Sequence, residues 1–167
     1  MYKQVIIVRH GKSSWANFTI SDHDRPLDER GIKDSPFMAN WLSELGFFPQ
    51  RLITSTAVRA KSTARFFFFI FGITPDEDRN LYHGLPQNYL DQINLLDEKI
   101  NNVALFGHNP GITIIANQIK PGCTDNIPTC GIIIATMEIQ IPWHKITFED
   151  MELKTIVAES STLRSAA

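Results

Sequence analysis

The apolar run at residues 5–8 and the three residues after it constrain the fold of this chain more than any other stretch. All four residues of the run are β-branched, which is typical of a strand buried on both faces of a sheet. The run ends in Arg9, His10 and Gly11. A buried strand that delivers these residues to its carboxyl end is typical of a phosphate site in an open α/β sheet. Taken alone, the three residues fit a plain polar turn equally well.

Two further apolar runs repeat this arrangement. Residues 51–55 and 102–106 are predicted strands; Arg59 lies four residues beyond the first of them, and His108 lies two residues beyond the second. Arg59 falls in the opening turn of the next helix, where side chains tilt toward the helix N-terminus. Because ligands bind outside the carboxyl ends of parallel strands, we expect all these polar residues to meet on one rim.

Helical patterns separate the predicted strands. The first helix is expected to run from a cap at Asp28 to Leu45, with Gly46 directly after it. Gly31 and Pro36 interrupt the early part of this pattern, so they either kink the helix or delay its start.

The second predicted helix follows a cap at Ser55 or Thr56, and its last part, residues 66–71, is apolar on every side. Such a segment must be covered on several sides, and we expect core packing rather than a dimer contact to cover it. A third helix is predicted from Pro86, which suits a first helical turn, to Ile100.

The remaining elements complete an α/β pattern. A fourth helix is predicted over residues 112–119, and longer strands over 131–139 and 145–157 are expected to pair antiparallel at one side of the sheet. Alternation through about the first 120 residues predicts a three-layer α/β/α sandwich with a mostly parallel central sheet. We expect one domain over residues 1–159 and a frayed terminus over residues 160–167.

Composition limits the function classes. The apolar fraction of 43% and charged fraction of 20% are typical of a soluble globular protein, and a net charge of −2 gives no reason to expect a nucleic-acid or membrane surface. The two cysteines, Cys123 and Cys130, match no zinc spacing, so a reducing cytoplasm is expected. No signal peptide is recognisable, and the apolar run at residues 66–73 is shorter than the roughly 20 residues that span a bilayer.

Two arginines, two histidines and a helix N-terminus are suited to a compact oxyanion, since guanidinium groups bind phosphate oxygens in pairs. Nearby arginines disfavour a charged imidazole, so His10 is expected to stay neutral and nucleophilic. A protonated or hydrogen-bonding His108 would stabilise charge on the transferred phosphoryl group. No carboxylate cluster or His/Cys set indicates a metal, so we expect neither a metal nor another cofactor.

The residues singled out so far fall into three motifs: Arg9-His10-Gly11, Ser55-x-x-x-Arg59-Ala60-x-x-Thr63-Ala64 and Gly107-His108-Asn109-Pro110-Gly111. In order and in spacing, these motifs together resemble the signatures of the histidine phosphatase (phosphoglycerate mutase-like) superfamily. The short length of the chain and the residues around Arg25 are similar to the small SixA-type phosphohistidine phosphatases.

This resemblance implies roles for individual residues. His10 would be the nucleophile that becomes phosphohistidine. The phosphate pocket would comprise Arg9, Arg59 and His108, with a further contact from Arg25. Residues beside these motifs are assigned lesser roles. Lys12 and Ser13 either recruit substrate or simply pack or face solvent, and Asn109 shapes the phosphate site by positioning the residues around it.

The chain departs from the family pattern in two places. Lys12 stands where many relatives have an acidic residue, and residues 81–84 lack the carboxylic acid that the mutases and acid phosphatases use as proton donor. His83 could replace that donor, although a surface histidine is the more common finding. An alkoxide needs a proton to leave, a contribution of roughly 10²- to 10⁴-fold, whereas a protonated imidazole leaves without one. The missing acid therefore favours phosphohistidine as substrate.

The leading hypothesis is a metal-independent phosphatase that acts on phosphohistidine in a signalling protein. A broad-specificity phosphomonoesterase for small molecules is the alternative, and a binding module without turnover is a third. The expected partner is a phosphorylated protein or small phosphorylated substrate, with neither nucleic acid nor membrane involved. The chain is expected to be a monomer or a weak dimer.

Overall fold

The computed structural model describes residues 2–158, which form a six-stranded sheet with helices on both faces. The strands lie in the order β3-β2-β4-β1-β5-β6. They are β1 (Tyr2–Arg9), β2 (Arg51–Ser55), β3 (Asp76–Asp78), β4 (Asn102–Gly107), β5 (Ile132–Glu138) and β6 (Glu152–Val157). The α-helices are α1 (Glu29–Glu44), α2 (Val58–Phe71), α3 (Pro86–Asn94) and α4 (Gly111–Ile119).

The sheet is mostly parallel, as the alternation of strands and helices predicted. Strand β4 pairs in parallel with both β1 and β2, with Val8 opposite Phe106 and Thr54 also opposite Phe106. Strands β1, β4 and β2 therefore end side by side, which brings their polar C-terminal residues to one edge. Strands β5 and β6 add antiparallel pairs beyond β1, on the side predicted for them.

Two hydrophobic cores lie on opposite faces of the sheet, which gives the three layers. On one face, Val5 and Ile7 of β1 pack with the buried residues of α3 and α4. On the other, Ile6 and Val8 pack with those of α1 and α2. Successive strand residues point to opposite faces, so a run with no polar position is what a strand covered twice requires.

Helix α1 begins where the sequence predicted. The side chain of Asp28 accepts the backbone N–H of Gly31 at 2.8 Å, which satisfies one of the free donors of the first turn. Pro36 lies inside the helix without delaying its start. Gly46 follows the helix with φ of 79°, a conformation that glycine adopts at little cost.

The predicted cap of α2 is wrong. The residue at the N-cap is Ala57, which has no side-chain oxygen to offer. The Oγ of Ser55 accepts the backbone N–H of Ala57 at 3.2 Å, just before the helix, and the hydroxyl of Thr56 bonds to Nε2 of His23. Both polar side chains are therefore used by the loop rather than by the first helical turn.

The prediction that core packing covers residues 66–71 is wrong for the segment as a whole. Phe67 is fully buried and meets Phe106 edge to face, whereas Phe69 is 61% exposed and Ile70 is also exposed. Residues 66–71 are apolar on every side of helix α2, but only the side with Phe67 packs into the core. The aromatic side chain of Phe69, on another side of the helix, is left uncovered within residues 2–158.

Three other boundaries differ from the sequence prediction. The charged stretch Asp76–Asp78 forms a short edge strand that the sequence analysis did not predict. Helix α3 ends at Asn94 rather than Ile100, and β6 begins at Glu152 rather than residue 145. None of the helices within residues 2–158 is long and apolar enough to cross a membrane. The predicted frayed terminus, residues 160–167, lies outside the described residues.

Candidate active site

His10 lies directly after β1, at the edge of the sheet. Its backbone N–H donates to Gly107 O at 3.0 Å, and its carbonyl accepts from Cys130 N at 3.1 Å, so β4 on one side and the turn before β5 on the other hold it in place. Its Nδ1 is 2.7 Å from the carbonyl oxygen of Gly11. A carbonyl only accepts, so Nδ1 carries the proton and Nε2 keeps its lone pair.

The His10 ring is neutral at physiological pH. Burial lowers its pKa to about 3, with further lowering by the positive charges of Arg59, Arg9 and Arg25, while the bond to Gly11 opposes the shift in part. A neutral imidazole with a lone pair on Nε2 is chemically able to act as a nucleophile, and the sequence predicted the neutral ring from the neighbouring arginines.

Arg59 faces His10 from the first turn of α2. Its Nε donates to His10 Nε2 at 3.2 Å. Its two terminal nitrogens bind Asp22: Nη1 donates to the backbone oxygen, and Nη2 lies 3.0 Å from Oδ2. Three of the five guanidinium N–H groups are thus engaged, with one edge toward His10 and the other toward a carboxylate.

Arg9 reaches the same pocket from the end of β1. Its Nη1 donates to Ile127 O at 2.6 Å, and its buried Nε has no hydrogen-bond partner in the described part of the chain. Burial and the charge of Arg59 lower its pKa from the usual value. A buried donor without a partner is costly, and a phosphate oxygen is a group that would satisfy it.

His108 follows β4 and packs beside the nucleophile, with 5.0 Å between the centroids of the His10 and His108 rings. Its backbone N–H donates to the hydroxyl of Tyr89 at 3.1 Å. Tyr89 fits there because residue 107 is glycine: a Cβ at Gly107 would collide with the Tyr89 ring.

The state of the His108 ring is set by burial and by Ser55. Burial lowers its pKa, and the positive charge of Arg59 lowers it further, so the protonated form considered from the sequence is disfavoured at neutral pH. Nε2 lies 2.7 Å from Ser55 Oγ, whose hydroxyl can donate to it while accepting the N–H of Ala57. In that tautomer the ring proton is on Nδ1, a buried atom with no partner within residues 2–158.

Arg25 enters from the loop between β1 and α1. Its guanidinium stacks over the Trp15 ring, 3.6 Å from the centroid, and Nη1 donates to Ser13 Oγ at 3.0 Å. Its Nε and Nη2 both bind Asp22 Oδ1, at 3.2 and 2.7 Å. Stacking on Trp15 and the two hydrogen bonds to the Asp22 carboxylate fix the long Arg25 side chain in one orientation.

Asp22 is the site residue that the sequence analysis missed. Its carboxylate bridges Arg25 and Arg59 and accepts the hydroxyl proton of Tyr82 at 2.8 Å. The only signal in the sequence is an Asp three residues before an Arg in a loop, a spacing that is common outside active sites.

The remaining predicted residues differ in what they can contribute. Lys12 is exposed at the pocket wall. The Asn109 amide is fully used, since Nδ2 donates to Asn126 and Ile127 while Oδ1 accepts from Thr113, so it shapes the loop. His83 is 65% exposed, with Nε2 3.9 Å from Asp22 Oδ2.

One open pocket brings together every residue that the sequence predicted for the site. Three guanidinium groups and a neutral second histidine surround a neutral imidazole whose Nε2 lone pair accepts a hydrogen bond from Arg59 Nε. Such a pocket can bind a phosphoryl group and accept it on nitrogen. Its lining comprises Arg9, His10, Lys12, Ser13, Trp15, Asp22, Arg25, Arg59, His83, His108, Asn109 and Thr129.

Comparison with known proteins places this fold and pocket in a family. The model of the histidine phosphatase superfamily (branch 1) matches residues 5–82. An uncharacterised protein of Mycobacterium tuberculosis is 30% identical over 139 residues, which is 76% of this chain and 85% of that protein. The chain belongs to the histidine phosphatase superfamily, and this membership together with the pocket supports phosphatase activity.

Particular relatives refine the comparison. Phosphohistidine phosphatase SixA of Escherichia coli is 29% identical over 140 residues, 78% of this chain and 82% of that protein. An uncharacterised chloroplast protein of Arabidopsis thaliana is 28% identical over 143 residues, 77% of this chain, which spans 63% of the length of the plant protein. The crystal structure described as a SixA phosphohistidine phosphatase from Agrobacterium tumefaciens superposes with a TM-score of 0.81 at 22% identity, over 95% of this chain and 99% of that one.

Proposed function

We propose that this chain is a metal-independent phosphatase that works through a covalent phosphohistidine on His10 and removes phosphate from phosphohistidine on a signalling protein. The observation that supports the proposal most is the tautomer of His10: Nδ1 is tied to Gly11 O, and the lone pair of Nε2 faces Arg59. One pocket therefore contains the proposed nucleophile, the carbonyl that orients its ring and the arginine that faces its reactive nitrogen.

The reaction proceeds in two transfers. His10 Nε2 attacks phosphorus, the bond from phosphorus to the leaving nitrogen breaks, and that nitrogen keeps the electron pair. Arg9, Arg25 and Arg59 hold the equatorial oxygens, with Nδ1–H of His108 as a further donor. Water then attacks phosphorus, the bond to Nε2 breaks, His10 regains its lone pair and orthophosphate leaves.

The absence of a carboxylic acid in residues 81–84 supports a phosphoramidate substrate over a phosphate ester. An imidazole that already carries a proton leaves as a neutral ring, whereas an alkoxide requires a donor. The name of the E. coli relative, phosphohistidine phosphatase, agrees with this substrate. We expect a phosphorylated protein as partner, in the cytoplasm, without nucleic acid or membrane, and a monomer or weak dimer as the working form.

A broad-specificity phosphomonoesterase is the second candidate, because His83 lies exposed at the pocket and could donate a proton to an alkoxide. Comparing turnover of a phosphohistidine peptide with that of an aliphatic phosphate ester separates the two. Faster turnover of the ester would favour the second candidate.

Rapid-quench labelling tests the mechanism itself. Incubation with a radiolabelled phosphohistidine peptide is expected to give an acid-labile, base-stable label on the wild type and on His144→Ala, a variant far from the pocket in sequence, but none on His10→Ala. A wild type that binds the peptide without becoming labelled would be the binding module instead. A label that persists in His10→Ala would place the nucleophile elsewhere.

A further inference from the structure

Asp22 brings a negative charge into a pocket that is otherwise built for an anion. Its carboxylate lies on the side of the Arg59 guanidinium opposite His10, so the arginine separates it from the nucleophile. Tyr82 and His83 approach the same oxygen, Oδ2, at 2.8 and 3.9 Å. The carboxylate is 42% exposed and lines the same pocket as His10.

This charge is permanent under ordinary conditions. Partial burial raises the pKa of Asp22, but hydrogen bonds from Tyr82, Arg25 and Arg59 outweigh burial and hold the pKa well below its usual range. Burial and the bond to Asp22 raise the pKa of Tyr82, so the hydroxyl keeps its proton. Asp22 therefore cannot donate a proton to a leaving group, and because Arg25, Arg59 and Tyr82 already give its two oxygens four hydrogen bonds, it acts on the leaving group through its charge.

The position of the carboxylate matters for the departing group. In the proposed in-line reaction the leaving atom lies on the far side of phosphorus from His10 Nε2. An imidazole already occupies the neighbourhood of Asp22 Oδ2 in the form of the His83 ring. A second imidazole with an N–H group suits this place, whereas an oxygen that gains negative charge is repelled from it.

The geometry points to Asp22 as the residue that selects the leaving group: it favours a protonated nitrogen base, as in phosphohistidine, over an alcohol. The inference rests on the proposed function and deepens it. In the first transfer the phosphorus–nitrogen bond breaks and its electron pair stays on the leaving ring nitrogen. The other ring nitrogen keeps its proton, which the negative charge of the carboxylate favours, so no proton is transferred.

The test is the selectivity ratio, kcat/KM for a phosphohistidine peptide divided by kcat/KM for phenyl phosphate. Asp22→Asn is expected to lower this ratio about tenfold, because the amide removes the charge that attracts one leaving group and repels the other. Asp22→Glu keeps the charge and is expected to retain most of the ratio. Asp24→Asn is the matched control, since that neighbouring carboxylate binds Ser21 and His23 outside the pocket.

The pH profile gives a second readout that a purely structural role would not move. The wild-type ratio is expected to fall as the substrate ring loses its proton, and the ratio of Asp22→Asn is expected to change less. An equal loss on both substrates in Asp22→Asn would overturn the inference and leave Asp22 as a support for the arginines. Failure of the proposed function is distinguishable, because the wild type would then lack label on His10 whatever Asp22 does.

Discussion

At the scale of single residues, two buried histidines are kept neutral by burial and by the positive charge of Arg59. The His10 ring is oriented by a carbonyl next to it in sequence, Gly11 O, and the His108 ring by a hydroxyl 53 positions away, Ser55 Oγ. The contact to Gly11 O settles which nitrogen of His10 carries the proton. The proposed phosphoryl transfer uses the other two ring nitrogens, Nε2 of His10 as the phosphoryl acceptor and Nδ1 of His108 as a hydrogen-bond donor.

Neutral buried histidines make stability depend on pH. The pKa of His10 in the folded state is about 3, below the unfolded value of about 6.5, so the unfolded chain binds more protons between these values. The free energy of unfolding is therefore expected to fall as pH drops from about 6.5 toward 3, by at most about 1.36 kcal/mol per pH unit from this group.

Urea unfolding at a series of pH values measures this dependence. In the window above the titration of most carboxylates, His10→Asn should show a shallower decline than the wild type, because one group that must be charged on unfolding has gone. Exposed His144 offers the control, and His144→Asn should follow the wild type. Parallel curves for wild type and His10→Asn would show that the ring is already charged in the folded protein.

At the scale of elements, the start of α1 joins the fold to the site. The Asp28 side chain caps the helix, and its backbone N–H donates to Lys12 O at 2.9 Å, so the same residue anchors the loop that follows His10. Gly31 lies against that loop, and a Cβ at this position would collide with Lys12 O. The early glycine that the sequence analysis treated as an interruption is therefore what lets the helix approach the loop.

Asp28→Ala is expected to lower the free energy of unfolding by about 1 kcal/mol, the usual cost of losing a capping side chain. Chemical denaturation measures the change, and Lys33→Ala on an exposed position of the same helix is the control. A loss no larger than that of the control would mean that the cap contributes nothing to stability.

The sequence predicted strands and helix ends well where a single physical cause, such as burial or helix capping, decides the residue type. The buried runs at residues 5–8 of β1 and 103–106 of β4 carry no polar position to mislead, and Asp28 and Gly46 mark the ends of α1 through local backbone chemistry. The edge strand Asp76–Asp78 was missed because a solvent-facing edge tolerates charge, so its composition is that of a loop. Helix α3 was predicted too long, since Leu96 and Ile100 keep helical spacing while the chain has already turned.

At the scale of the whole molecule, the parallel sheet explains why the site was predictable. Three strands end at one edge of the sheet, and polar residues follow each of them in the sequence. The order of strands and helices along the chain was therefore enough to assign Arg9, His10, Arg59 and His108 to one rim. Asp22 was not predictable in this way, because it lies in a loop whose path depends on tertiary contacts. How many sides of a helix are covered, as at residues 66–71, is likewise decided by packing rather than by hydrophobicity.

The two faces of α2 should respond differently to substitution. Phe67→Ala removes a fully buried ring packed against Phe106, which is expected to cost about 3 to 5 kcal/mol of unfolding free energy. Phe69→Ala removes a ring that is 61% exposed and is expected to cost less than about 1 kcal/mol. Thermal or urea unfolding measures both. A large loss for Phe69→Ala would show that this ring is covered in solution.

The central claim is that Nε2 of His10 is the atom that accepts the phosphoryl group. Protein labelled with ¹⁵N in its histidine rings, phosphorylated by the substrate and observed by NMR, tests this atom directly. We predict a ³¹P–¹⁵N coupling to Nε2 of His10, with Nδ1 of the same ring still protonated. A coupling to Nδ1, to another histidine, or to none would contradict the account.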